Sequence, residues 1–361
     1  MTDDAARLSP LDRADLRIRV ERALAEFLSR QQTRLAGIDT ALLPVVAAIE
    51  RLVLGGGKRL RPAFAYWGYR AAGGHDRDDV VTATAALEFV QASALIHDDV
   101  MDGSDTRRGE PAVHREFASR HRDRGWLGSP DGFGTAAAIL LGDLCLVWSD
   151  ELLHGSGLDP VTLARARPVF DDMRTEVTVG QYLDMYAQVT GDTSMRRASL
   201  VARFKSAKYT VERPLLLGAA FADAPVDVRR AYSAFGLPLG EAFQLRDDVL
   251  GVFGDPALTG KPAGDDLREG KRTYLVAAAF EGADDNAATQ LRAGLGDPAL
   301  DDAGVARIRE IMTVTGALRR TETHIDELTS AALAALDRVT VDAEATDVLR
   351  QLAAATTARR S

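Results

Sequence analysis

Two apolar stretches with helical spacing each run into a knot of carboxylates, and this restricts the fold more than any other feature of the chain. In the first, Leu87, Val90 and Ala94 precede His97-Asp98-Asp99-Val100-Met101-Asp102. In the second, Leu239, Phe243 and Leu250 accompany Asp247-Asp248. Asp98 and Asp102 stand four apart, so on a helix they face the same way. Carboxylates converging after an apolar helix are costly unless something positive joins them. One such cluster is common on a solvated surface. Two on separate apolar helices predict facing walls of one cavity. Oxygen-rich clusters of this kind suit Mg2+, which binds through a few carboxylates together with water and substrate phosphates.

The rest of the chain also reads as helix. Ala, Leu, Arg and Glu dominate, no run alternates as a strand would, and Gly and Pro gather in punctuating clusters such as Gly55-Gly56-Gly57, Gly128-Ser129-Pro130 and Gly260-Lys261-Pro262. Residues 119–134 and 280–303 read as surface connections. With no repeat of solenoid period and no long linker, one domain over residues 1–361 is expected, with polar ends at about 1–10 and 352–361, the last of them frayed.

Composition closes off several functions. A net charge of −9 gives no basic footprint for nucleic acid. Cys145 is the only cysteine, which excludes an intramolecular disulfide and cysteine-based metal sites. The N-terminus lacks the apolar core of a signal peptide, and the apolar window at 135–148 is interrupted by Asp143 and too short to span a bilayer. A soluble protein of the reducing cytoplasm is the expectation.

Cations accompany the carboxylates. Arg107-Arg108-Gly109 follows the first cluster, and forked arginines suit diphosphate oxygens. Lys261, Asp265, Asp266 and Lys271 follow the second. Upstream, Gly55-Gly56-Gly57-Lys58-Arg59-Leu60-Arg61-Pro62 offers a flexible backbone and positive charge. It is not a P-loop, because no Ser or Thr follows the lysine. Taken alone, it reads rather as a helix-joining turn with a basic rim. His97 and His114 have no partner at zinc-ligand spacing, and His97 reads as a helix position beside the site.

These three features, in this order, resemble the trans-isoprenyl diphosphate synthase (polyprenyl synthetase) family. The resemblance implies an all-α bundle of long, mostly antiparallel helices around a deep central cavity, as a homodimer. It implies a transferase that condenses isopentenyl diphosphate with an allylic diphosphate (dimethylallyl, geranyl or farnesyl), using about three Mg2+ per site. By the same resemblance, Asp98, Asp102 and Asp247 ligate magnesium, with Asp99 and Asp248 beside them. Lys58, Arg61, Gln91 and Arg108 hold isopentenyl diphosphate. Arg107, Lys205, Lys261 and Lys271 contact the allylic diphosphate, supported by Gln181 and Asp184. Ser206 stands where the family has Thr, and Gly251 stands at the third acidic position of the second motif, so a ligand role there disappears.

The implied reaction is ionisation, condensation and elimination. The allylic cation is sheltered by apolar walls and by oxygens of Ser206 and Gln244, and the proton goes to the released diphosphate. Chain length is set by what plugs the cavity below Asp98. Ser93 and Ala94 are small and leave it open; Val90 and Phe89 lie one turn deeper. With Phe89 at the floor, the expected product is C20 geranylgeranyl diphosphate, although Phe89 reads equally as ordinary core. Two rival readings are a class I terpene cyclase, which lacks the second Asp-Asp motif and the Gly-Lys-Arg segment, and a non-catalytic partner subunit, which loses the acidic motifs.

Overall fold

The computed structural model describes residues 12–254, 264–339 and 341–357. Long helices carry nearly all of it, as the composition predicts. By contacts, the chain divides into two compact units. One takes the described residues up to Pro168, with Leu217–Ala224 and Asp342–Leu349; the other takes Val169–Leu216, Pro225–Val341 and the described residues from Arg350 onward.

In the first unit, α1 (Leu16–Ala36), α2 (Leu43–Leu54), α3 (Leu60–Ala71) and α4 (Asp78–Asp102) are followed by a small hairpin. Then come α5 (Val113–Asp123) and α6 (Pro130–His154). α3 is buried on nearly every face, with Phe64, Tyr66 and Trp67 at 1% exposure or less. Deeper along α4, the Phe89 ring packs 5.2 Å from Phe27 and 6.0 Å from Trp148, which are themselves 6.0 Å apart. The three rings form one closed aromatic cluster.

The stretch expected to be a loop at 119–134 is mostly helix. α5 continues to Asp123, Ser129 caps α6 by accepting from Gly132 N, and Pro130 opens that helix. α6 is also longer than the apolar window that was expected to be too short. α4 and α6, each of 25 residues, are long and apolar enough to cross a membrane by length and composition alone. In α4, 72% of the most apolar window is buried within the protein; in α6 the share is 39%.

α7 (Pro160–Thr190) passes from the first unit into the second at Pro168. α8 (Met195–Val201) leads into a π-helix, Ala202–Glu212, and then α9 (Arg213–Phe221) and α10 (Val226–Phe253). After α11 (Asp265–Arg268) come α12 (Tyr274–Gly282), α13 (Asp285–Gly294), α14 (Asp302–Val314), α15 (Ala317–Leu336) and α16 (Ala343–Thr357).

Three expectations are corrected in this unit. The core face of α10 is Leu239, Ala242, Leu245, Val249 and Val252, whereas Phe243 and Leu250 are only half-buried. At roughly 100° per residue, Phe243 and Leu250 stand about 40° and about 20° from Leu239 on the side away from Ala242, Leu245 and Val249, so the row marks one edge of the core face and not its centre. Residues 280–303 are not a bare connection: α13 lies within them, and its Leu291 joins the core. The C-terminal end is ordered through Thr357. Leu352, Ala353 and Thr356 are fully buried, and the Thr357 carbonyl accepts from Arg246 Nε at 3.1 Å. Arg246 also forks onto Glu322 at 2.5 and 2.6 Å.

Candidate active site

Each unit carries one acidic cluster, and each cluster sits in the closing turns of a long helix. Asp98, Asp99 and Asp102 close α4; Asp247 and Asp248 lie near the end of α10. A helix C-terminus is the negative pole of its macrodipole, the least favourable place for a carboxylate. The carboxylates therefore need positive charge from elsewhere.

In the first unit, part of that charge comes from the hairpin. Gly103, at φ +67°, stops α4. β1 (Thr106–Arg107) then pairs with β2 (Glu110–Pro111), and Arg108 and Gly109 turn between them. Their φ values are +54° and +80°, as a tight hairpin with two left-handed turn residues requires. The hairpin brings Arg107 back over the helix end. Its Nε donates to Asp99 Oδ1 at 2.9 Å, its Nη2 bonds the same carboxylate, and Nη2 lies 3.5 Å from Asp98 Oδ2. Asp99 is 3% exposed, so this is a largely buried ion pair.

Arg108 points the other way and donates to the Gly56 carbonyl at 2.9 Å. Gly56 and Gly57 stand at φ +101° and +127°, which only glycine adopts without strain, so the triple glycine shapes the loop that Arg108 grips. Arg108 is exposed as a residue, yet desolvation by the surrounding loop lowers its pKa. Arg59, Arg107 and Arg61 press the same way, against the pull of Glu88. A local positive field inside a chain of net negative charge is the condition for binding an anion. Lys58 is exposed on this loop, Arg61 is half-buried in the first turn of α3, and Gln91 is half-buried on α4 two turns before Asp98.

Arg59 was read as part of the basic rim, but it points inward. It is 4% exposed, with Nη1 2.6 Å from Glu88 Oε2. This buried pair ties the glycine loop to the helix that bears Asp98. His97 takes the structural place expected of it. Its Nε2 lies 3.1 Å from the Ile139 carbonyl, over Gly142, where a Cβ would stand 2.1 Å from the ring.

In the second unit, Asp248 is 6% exposed and accepts from Gln244 Nε2 at 2.7 Å. Burial first, and then the carboxylates of Asp266, Asp247 and Asp184, push its pKa up to about 8. Asp247 is exposed. Gly251, read as a lost acidic position, has a tenant: a Cβ there would lie 1.9 Å from Asp266 Oδ2. Asp266 thus brings its carboxylate to the place the missing side chain would take, with Lys271 Nζ 3.4 Å from its other oxygen. The sequence signal is the Asp265-Asp266 pair, but its distance along the chain from Gly251 gives no position. Lys205 Nζ lies 2.6 Å from Asp184 Oδ2. Gln181 is half-buried on the same helix and Ser206 is buried in the π-helix. Lys261 lies outside the described residues.

Among the described residues, no group of three or more acidic, His or Cys side chains forms a ready-made metal cage. Magnesium does not require one, since it binds through one or two carboxylates and completes its shell with water and phosphate oxygens. The oxygen-only donors at two negative helix ends, with Asp248 crowded by three other carboxylates, fit that ion.

Comparison with known proteins accords with this chemistry. The polyprenyl synthetase family profile matches residues 44–312. A geranylfarnesyl diphosphate synthase of Aeropyrum pernix is 30% identical over 338 residues, which are 92% of this chain and 96% of the relative. A geranylgeranyl diphosphate synthase of Mycobacterium tuberculosis is 35% identical over 78% of this chain and 75% of its own. Among solved structures, geranylgeranyl pyrophosphate synthase from Corynebacterium glutamicum, complexed with isoprenyl diphosphate and magnesium, is 46% identical. It superposes with a TM-score of 0.91 over 94% of this chain and 98% of its own. With its all-α fold and both acidic helix ends in place, this chain belongs to the polyprenyl synthetase family of prenyl diphosphate synthases.

Proposed function

We propose that the protein condenses isopentenyl diphosphate head to tail with dimethylallyl, geranyl and farnesyl diphosphate, and that its main product is C20 geranylgeranyl diphosphate. The observation that carries this reading is the pair of acidic helix ends, Arg107 against Asp99 at one and Asp266, itself beside Lys271, near Asp248 at the other, in a chain of this family. The 46% identity to a geranylgeranyl pyrophosphate synthase supports the product length.

Asp98, Asp102 and Asp247 hold about three magnesium ions with the allylic diphosphate. Bound there, magnesium withdraws charge from the leaving diphosphate. Arg107, Lys205, Lys261 and Lys271 bind its oxygens. Asp99 fixes Arg107, and Asp184, with Gln181 beside it, fixes Lys205. Lys58, Arg61, Gln91 and Arg108 hold isopentenyl diphosphate, where Arg108 is desolvated and Arg59, Arg107 and Arg61 stand near it. The oxygens of Ser206 and Gln244 shelter the allylic cation once the C–O bond breaks. The double bond of isopentenyl diphosphate attacks it, and the released diphosphate takes the proton. Excluding water keeps the cation from being quenched.

Phe89, with Phe27 and Trp148 against it, forms the floor that ends chain growth, below Val90, Ser93 and Ala94. Nine residues separate Phe89 from Asp98, a rise of about 13.5 Å at 1.5 Å per residue. The two units act as one prenyltransferase domain in the cytoplasm, a reading supported by a family match that runs through both. The exposed face of α6, with Phe133, Ile139, Leu140 and Val147, is the seam of a homodimer rather than a lipid contact, because exposed Asp143 lies within it.

The test is a product assay with purified protein, Mg2+, isopentenyl diphosphate and each primer in turn. A dominant C20 product is expected, with longer products from Phe89→Ala. A C15 or C25 main product, or an unchanged distribution in the variant, discards the floor. No condensation with any primer overturns the activity itself.

A further inference from the structure

The π-helix Ala202–Glu212 is unusual in its length, since π geometry ordinarily appears as a single-turn bulge inside an α-helix, often at a functional site. Something outside the segment must hold eleven residues in that form. Two rows of residues do so. On α7, Glu176, Gly180 and Asp184 recur every four positions along one side of the π-helix. Glu176 bonds Lys208 and forks onto Arg213 at 2.6 and 2.7 Å. Asp184 takes Lys205 Nζ. Between them, a Cβ at Gly180 would stand 2.3 Å from Lys205 N and 2.5 Å from the Phe204 carbonyl carbon. On α10, Gly236, Gly240, Gln244 and Asp248 form a row with the same period. A Cβ at Gly240 would stand 2.5 Å from the Ala207 carbonyl oxygen and 2.6 Å from its Cα. The obstructing atoms are backbone, which cannot swing aside as a side chain can.

Both rows run on into chemistry: Glu176-Gly180 to Asp184, and Gly236-Gly240 to Gln244 and Asp248. We infer that Gly180 and Gly240 are positioning residues. They let two helices close on the widened backbone, and that contact fixes the register in which Lys205 and Ser206 meet the allylic diphosphate and its cation. The inference rests on the roles proposed above for Lys205 and Ser206. It adds that a methyl group at either glycine misplaces them without touching substrate.

The experiment is steady-state kinetics of Gly180→Ala and Gly240→Ala, alone and combined with Lys205→Ala, with folding checked by circular dichroism. Each glycine variant should lose on the order of 100-fold in kcat, the size expected for a misplacement of about 1 Å. The KM for isopentenyl diphosphate should stay within about threefold of wild type. In the Lys205→Ala background, Gly180→Ala should cost much less than alone, because Gly180 faces the Lys205 backbone and most of its effect passes through that side chain. An unchanged kcat, or a full second loss in that background, overturns the inference. An unchanged kcat in Lys205→Ala alone instead sinks the residue role beneath it. If Gly180→Ala does not fold, Glu176→Gln loosens the same row without adding volume. It should lower kcat several-fold at unchanged KM, and wild-type kcat there overturns the inference equally.

Discussion

At the end of α4, a hairpin turns Arg107 back onto Asp99 and to within 3.5 Å of Asp98, so part of the negative charge is answered inside the first unit. At the end of α10, Asp248 is met by Gln244, and Asp266, Asp247 and Asp184 press upon it until its pKa rises to about 8. The sequence motifs look alike, and both stand at the negative pole of a helix. The difference is in what surrounds the buried carboxylate of each: an arginine at one end, further acids at the other. At the first end the buried carboxylate is paired within its own unit. On the function proposed above, the second gives up stability to leave a place for a cation from solution, a common trade at functional sites.

Four predictions test that contrast. Asp98→Ala and Asp247→Ala should each lower kcat about 10³-fold, the scale for removing one electrostatic contact to a developing charge. A much smaller loss in either would mean that only one end serves catalysis. Arg107→Ala should cost about 3 kcal/mol in urea denaturation, because it strands the buried Asp99 carboxylate. Wild-type stability would show that Asp99 finds another cation. Asp99→Asn should destabilise by about 2 kcal/mol, since it removes a charge-assisted bond from a buried pair. The matching change at the other end, Asp248→Asn, should do the reverse. It removes a carboxyl that must take up a proton to be buried near neutral pH, keeps an oxygen for Gln244, and should raise the stability of the metal-free protein by about 1 kcal/mol, or a few degrees in Tm, while activity falls. Equal signs for the two Asn variants would erase the contrast.

Much of this was legible in the sequence, for reasons that differ by residue. Helix and carboxylate spacing are local properties, so α4, α10 and both acidic clusters could be read directly. Asp266 could not, because it reaches Gly251 through a fold of the chain that no spacing encodes. Arg59 was misread as rim because a Gly-rich basic run looks solvated, while its burial depends on Glu88, twenty-nine residues away. The π-helix left no periodic signal, and Gly180 and Gly240 acquire meaning only from the backbone that each faces. The order at Thr357 depends on Arg246, more than a hundred residues upstream.

The most direct test of the central claim, that both acidic ends hold magnesium on the same allylic diphosphate, is titration calorimetry with a non-ionisable allylic diphosphate analogue, with and without Mg2+. It would compare wild type, Asp98→Ala and Asp247→Ala. Magnesium should strengthen analogue binding to the wild type, and each substitution should remove most of that gain. Full magnesium-dependent binding in either variant would contradict the claim and leave that acidic end with some other task.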